Sequence, residues 1–116
     1  MLHDIAQINM AGRRQTQVAE TLAHLAADYF AREAGSESLI TVTRAELAPH
    51  LKQVTIFFSV LPEKFEQKAL AFAKRSRSDF REYVKEKTFL NPIPTIDFEI
   101  DLGEKNRQRI DELTRS

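Results

Sequence analysis

The chain has 116 residues, of which 42% are hydrophobic and 29% charged, and its 17 basic and 17 acidic residues cancel to a formal net charge of zero. That is the size and composition of one soluble domain able to bury its own core. The absence of cysteine excludes disulfides, thiolate metal sites and thiol catalysis, and the zero net charge removes any global basic footprint for nucleic acid.

Residues 1–11 carry little pattern and are expected to form a flexible N-terminal arm. From Gly12 to Ala34 the residues Val18, Leu22, Leu25, Ala26, Tyr29 and Phe30 fall on one helical face, and Gly35 makes a suitable stop. Ser36 to Ser38 read as a turn. Leu39 to Ala45 is rich in β-branched residues and reads as a strand. Ala48-Pro49-His50 interrupts it. Leu51 to Leu61 is a second strand, with Val54, Ile56, Phe58 and Val60 on one face and Thr55, Phe57 and Ser59 on the other. The short link makes the two an antiparallel hairpin.

Pro62 opens a helix, and Glu63 and Glu66 suit its positive end. The run Phe65 to Lys87 places Phe65, Ala69, Phe72, Ala73, Ser76, Phe80, Tyr83 and Val84 in one apolar stripe. Lys74, Arg77, Arg81 and Lys85 recur on the opposite face as a basic ridge. Ser76 and Ser78, in the middle of the run, compete for backbone hydrogen bonds and predict a kink. Asn91-Pro92-Ile93-Pro94 forces an extended exit. Thr95 to Asp101 then alternates as a third strand with Ile96, Phe98 and Ile100 inward. Residues 103–116 read as a short C-terminal helix or tail anchored by Ile110 and Leu113. About thirty residues of helix separate the second and third strands, so the third should lie parallel beside the second. The expected fold class is α+β: a three-stranded sheet in the order one-two-three, helices on one face, and a single domain over residues 12–102.

Little here suggests catalysis. His3, His24 and His50 are isolated from one another, without metal-ligand spacing. Asp97, Glu99 and Asp101 share a strand face, either as a cation site or as a solvated face paired with Lys or Arg. No glycine-rich phosphate loop can be built from Gly12, Gly35 and Gly103, and no serine has an oriented base. The chain is therefore read as a non-enzyme with no cofactor and no metal. No apolar run approaches the roughly 18 residues of a membrane span, and the first ten residues lack the regions of a signal peptide. A cytoplasmic location and no membrane partner are expected.

The ridge is more informative. Arg77–Arg81 and Arg81–Lys85 are like-charge i, i+4 pairs, each costing roughly 0.2–0.5 kcal/mol in an isolated helix. A solvated face would more often mix signs, as Asp79 near Arg75 and Glu82 near Lys85 do locally. The functional reading is phosphate contact through Lys74, Arg75, Arg77, Arg81 and Lys85, with Arg13 and Arg14 on the first helix as further candidates.

The order and spacing of these blocks resemble the bacterial ribosome-binding factor A family, as a divergent member. The likeness runs from Arg13-Arg14 on the first helix, through Leu39–Thr43 and Leu51–Val60, to Phe80-Arg81 and the closing block Pro94–Asp101. Ser76-Arg77-Ser78 stands where that family has an Ala-x-Gly interruption, and His50, Val54 and Asn91 also depart from its pattern. The resemblance implies a type II KH-like domain. It also implies a monomeric, non-enzymatic factor that binds the small ribosomal subunit and its ribosomal RNA late in maturation. The alternative reading is a KH-like protein-interaction or dimerisation module without RNA binding.

Overall fold

A computed structural model describes residues 2–115, with side chains described at 14–50, 52–107, 110 and 113. In chain order the elements are α1 (Leu2–Glu33), β1 (Leu39–Leu47), β2 (Gln53–Leu61), α2 (Glu66–Arg75), α3 (Arg77–Lys87), β3 (Thr95–Ile100) and α4 (Leu102–Arg115). Short 3-10 turns at Pro49–Leu51 and Glu63–Phe65 lead into β2 and α2.

The sequence reading starts the first helix at Gly12, whereas the structure carries α1 back to Leu2. Residues 1–11 hold no proline or glycine, so nothing in their backbone stops a helix. Gly12 costs about 1 kcal/mol inside one without breaking it. Among the described side chains, packing against the core begins at Val18.

The sheet has the order β1-β2-β3. β1 and β2 pair antiparallel, from Leu39 opposite Leu61 to Leu47 opposite Val54, with a register shift between Val42 and Arg44. β2 and β3 pair parallel, from Gln53 beside Thr95 to Phe58 beside Ile100. This is the topology that the long helical crossover requires. Between the first two strands His50 has φ 64°, a left-handed conformation that histidine tolerates better than most residues.

The inward residues of β2, namely Val54, Ile56, Phe58 and Val60, are buried, while Thr55, Phe57 and Ser59 are half-exposed on the opposite face. α1, α2 and α3 cover the inward face. The core is mostly aliphatic and holds one aromatic cluster. Phe58, Phe80 and Phe98 are fully buried, and Phe72 packs against them from the margin. Phe30 of α1 sits among them, with ring centroids 5.2 Å from Phe98, 5.7 Å from Phe58 and 6.3 Å from Phe72. Tyr29 meets Phe80 edge-on at 5.6 Å and Tyr83 at 5.8 Å, which joins α1 to α3.

The long helical run is broken at one residue. Ser76, with φ −87° and ψ 1°, ends α2 and opens α3. Its amide is shared between the Phe72 and Ala73 carbonyls, and its hydroxyl donates to the Phe72 carbonyl at 2.8 Å. The side chain competes with the ladder of its own helix. Ser78 lies in the first turn of α3 and is exposed, so the break belongs to Ser76 alone.

Phe80 has no exposure and touches both Tyr29 and Phe98. Phe80→Ala should lower the stability read from urea unfolding by about 3–5 kcal/mol. A loss under about 1 kcal/mol would mean that this face of α3 is not in the core.

Candidate nucleic-acid interface

The basic ridge is divided by the break at Ser76: Lys74 lies on α2, and Arg77, Arg81 and Lys85 lie on α3. The sequence reading sets all four on a free face opposite the apolar stripe. Lys74 is the clearest departure. Its ammonium donates to Asp97 at 2.7 Å and to Glu99 at 2.6 Å. Those carboxylates alternate with buried Ile96 and Phe98 along β3, so the lysine reaches around the edge of the sheet. Burial alone would lower the Lys74 pKa, but the hydrogen bonds and charges of Asp97 and Glu99 outweigh it and raise the value. Burial likewise opposes ionisation of Asp97, yet Lys74, the Phe98 amide and Arg77 hold its carboxyl below the ordinary value of 3.8. Both shifts favour the ion pair.

Arg77 is half-exposed. Its Nε donates to the Lys74 carbonyl at 3.0 Å, satisfying the end of α2, and its Nη1 lies 3.4 Å from Asp97. Arg81 donates through Nη1 to the carbonyls of Ile93 and Pro94, both at 3.2 Å. It therefore anchors the segment that leads into β3. Lys85 is exposed, 4.0 Å from Glu82. Arg75 is exposed beside the Phe72 ring, with its guanidinium carbon 5.8 Å from the centroid.

Between α3 and the start of β3 lies a shallow groove of about 230 Å³, lined by Arg77, Ser78, Arg81, Thr95 and Ile96. One wall is arginine and the other is the outer edge of β3, whose ladder is used on the β2 side only. Guanidinium groups beside exposed backbone and hydroxyls suit a phosphodiester chain. Arg14 is exposed on α1, fifteen residues and about 22 Å along the axis from Tyr29, where α1 meets α3. It is not gathered into this groove. The Arg13 side chain lies outside those described.

Asp101 belongs to a different structure. It is 5% exposed, its Oδ2 accepts from the Thr43 hydroxyl at 2.6 Å and from Arg44 Nε at 3.3 Å, and its Oδ1 accepts from the Glu104 amide at 3.0 Å. Thr43 sits at the irregularity of β1. The Arg44 guanidinium lies 3.9 Å from the centroid of Phe57 on β2. The carboxylate thus ties β1 across β2 to the start of α4, where it acts as N-cap. Burial works against its charge, but the Thr43 and Glu104 hydrogen bonds and the Arg44 charge keep its pKa below 3.8. The three carboxylates of the last strand are therefore split: Asp97 and Glu99 face Lys74, and Asp101 faces Arg44. α4 is held by this cap and by Lys105, 3.0 Å from both Glu63 and Glu66. Ile110 and Leu113, the expected anchors, are largely exposed.

The order helix-strand-strand-helix-helix-strand, with a parallel third strand and the helices on one face, is a type II KH-like domain. A sequence model of the family described as Ribosome-binding factor A matches residues 14–114. A protein of Bradyrhizobium sp. strain ORS 278 with that name is 29% identical over 109 residues, which cover 90% of this chain and 79% of that one. A Coxiella burnetii protein of the same name is 25% identical over 100 residues, 84% of each chain. The crystal structure of ribosome-binding factor A from Thermus thermophilus superposes with a TM-score of 0.66 at 15% identity, over 74% of this chain and 94% of that one. The chain belongs to the ribosome-binding factor A family.

Two consequences can be measured. Lys74→Ala should lower stability by about 0.5–1 kcal/mol in urea unfolding, the worth of a partly exposed ion-pair network. A residue with no structural role would leave the midpoint unchanged. Asp101→Ala should cost about 1–3 kcal/mol near neutral pH. A carboxyl whose folded pKa is depressed contributes stability above its unfolded value and loses it as pH falls through the folded one. The gap between wild type and Asp101→Ala should therefore be full well above the ordinary carboxylate value of 3.8 and shrink as pH falls below it. A gap independent of pH would deny the charged cap.

Proposed function

We propose that this protein binds ribosomal RNA of the small subunit through the groove between α3 and β3 and assists late maturation of that subunit without catalysing a bond change. Family membership supports ribosome binding, and the curated relatives carry that function in their names. The observation that carries the RNA reading is the arginine-lined groove with Arg77 and Arg81 along one wall. A-form RNA is recognised largely through shape, phosphates and 2′-hydroxyls, and this groove offers fixed cations rather than a base-reading helix. Lys85 continues the positive face along α3, whereas Arg75 lines a separate cavity with Ala34, Ile40 and Phe65. Lys74 contributes less, because Asp97 and Glu99 already neutralise it. Among the described residues no helix is long and apolar enough to cross a membrane. The protein is proposed to work as a monomer in the cytoplasm.

The acidic partners of Lys74 favour one rival, a KH-like interaction or dimerisation module that does not bind RNA. Salt dependence separates the two. Arg77→Ala combined with Lys85→Ala removes two exposed cations of α3 while sparing the loop anchor at Arg81. The pair should weaken binding to small-subunit RNA and flatten its log–log salt slope by about 1.5 units. Its melting temperature should stay close to wild type. Binding that ignores both salt and the double substitution would favour the interaction module.

A further inference from the structure

Phe89 is fully exposed, at 104% of its reference area. It lies just after α3, in the loop that returns to β3. α3 ends at Lys87 and Thr88 is extended, with φ −137° and ψ 169°, so Phe89 lies off the helix and outside its apolar stripe.

Its surroundings are ordered. The Thr88 amide and hydroxyl both donate to the Val84 carbonyl, at 3.0 and 2.9 Å. The Leu90 amide donates back to the Thr88 hydroxyl at 3.3 Å, and Leu90 packs against the core. Beyond it, Ile93 is buried and its carbonyl is held by Arg81. Both flanks are fastened, and the ring between them is presented to solvent.

We propose that Phe89 is a stacking platform for an unpaired RNA base at the far end of the α3–β3 groove. The inference rests on the RNA-binding reading above and adds the kind of nucleotide that the site takes. α3 spans about 15 Å from Arg77 to Lys87, so a short single strand following the arginines reaches the loop. Lys85 and Lys87 are exposed on the last turn of α3, with Glu82 and Glu86 between and beside them. An aromatic ring on a fixed backbone stacks an unpaired base without sequence preference, since every base has a π-face. A protein pocket is the weaker fit. Protein hot spots sit within a contiguous apolar patch, whereas Leu90 turns inward and the exposed neighbours of Phe89 are Lys87, Asn91 and Pro92.

The chain contains no tryptophan, so Phe89→Trp introduces a unique fluorophore at the site. Saturation with a single-stranded oligoribonucleotide should quench the introduced indole, and inorganic polyphosphate, which has no bases, should leave it unchanged. Phe89→Ala should weaken binding of the same oligoribonucleotide by about tenfold, with the salt slope and melting temperature of wild type. Wild-type affinity in Phe89→Ala, or an unquenched indole in a saturated complex, overturns stacking. If the Arg77 and Lys85 substitutions still weaken binding in that case, the RNA reading survives alone. A wild-type protein that binds no RNA overturns both. A loss confined to intact small subunits, with binding to naked ribosomal RNA unchanged, would place Phe89 against a protein and overturn the proposal.

Discussion

The ring of Phe30 is the point from which the geometry of this domain follows. It comes from α1 and lies against Phe58 of β2, Phe98 of β3 and Phe72 of α2. One side chain thereby fixes the long helix against the sheet and the α2 limb above it. Aromatic rings bury large areas and prefer tilted or edge-on contacts, so the positions of α2 and α3 over the sheet have little freedom. Their placement sets which cations reach β3 and which stay in solvent.

The distribution of charge follows from that placement. A helix lying over an edge strand brings its flank within reach of carboxylates on the far side of the strand, so Lys74 is consumed by Asp97 and Glu99. The break at Ser76 redirects the chain before Arg77, and α3 runs along the β3 margin as a separate segment. Arg77 donates to one backbone carbonyl and Arg81 to two, and both still line the groove. A zero net charge is compatible with local polarity of this kind.

The strands, their order and the inward face of β2 were legible because alternation and β-branching are local signals, and the crossover length dictated the parallel pair. The break was legible in position, since mid-helix serine competes with the backbone, though only Ser76 does so. Helical periodicity also located the basic ridge. It gave the wrong environment for Lys74, because a helical wheel holds no information about carboxylates 23 and 25 residues further along the chain. The start of α1 was missed because residues 1–11 offer no clear apolar periodicity to read. The role of Asp101 was hidden for a related reason: its partners Thr43 and Arg44 are far away in the chain and meet it only through the irregularity in β1.

A three-stranded open sheet leaves two edges where a foreign strand could add, and both are blunted here. The Thr43 irregularity interrupts the regular ladder of β1, and Pro94, which has no amide hydrogen, immediately precedes β3. Along β3 the side chain of Lys74 crosses to the carboxylates of Asp97 and Glu99, laying a charged strap over the exposed margin. Edge irregularity, proline and lysine are the devices by which natural sheets resist intermolecular pairing. The same lysine that withdraws from the basic groove thus serves the solubility of the domain, keeping the free edge of its sheet from becoming a template for aggregation.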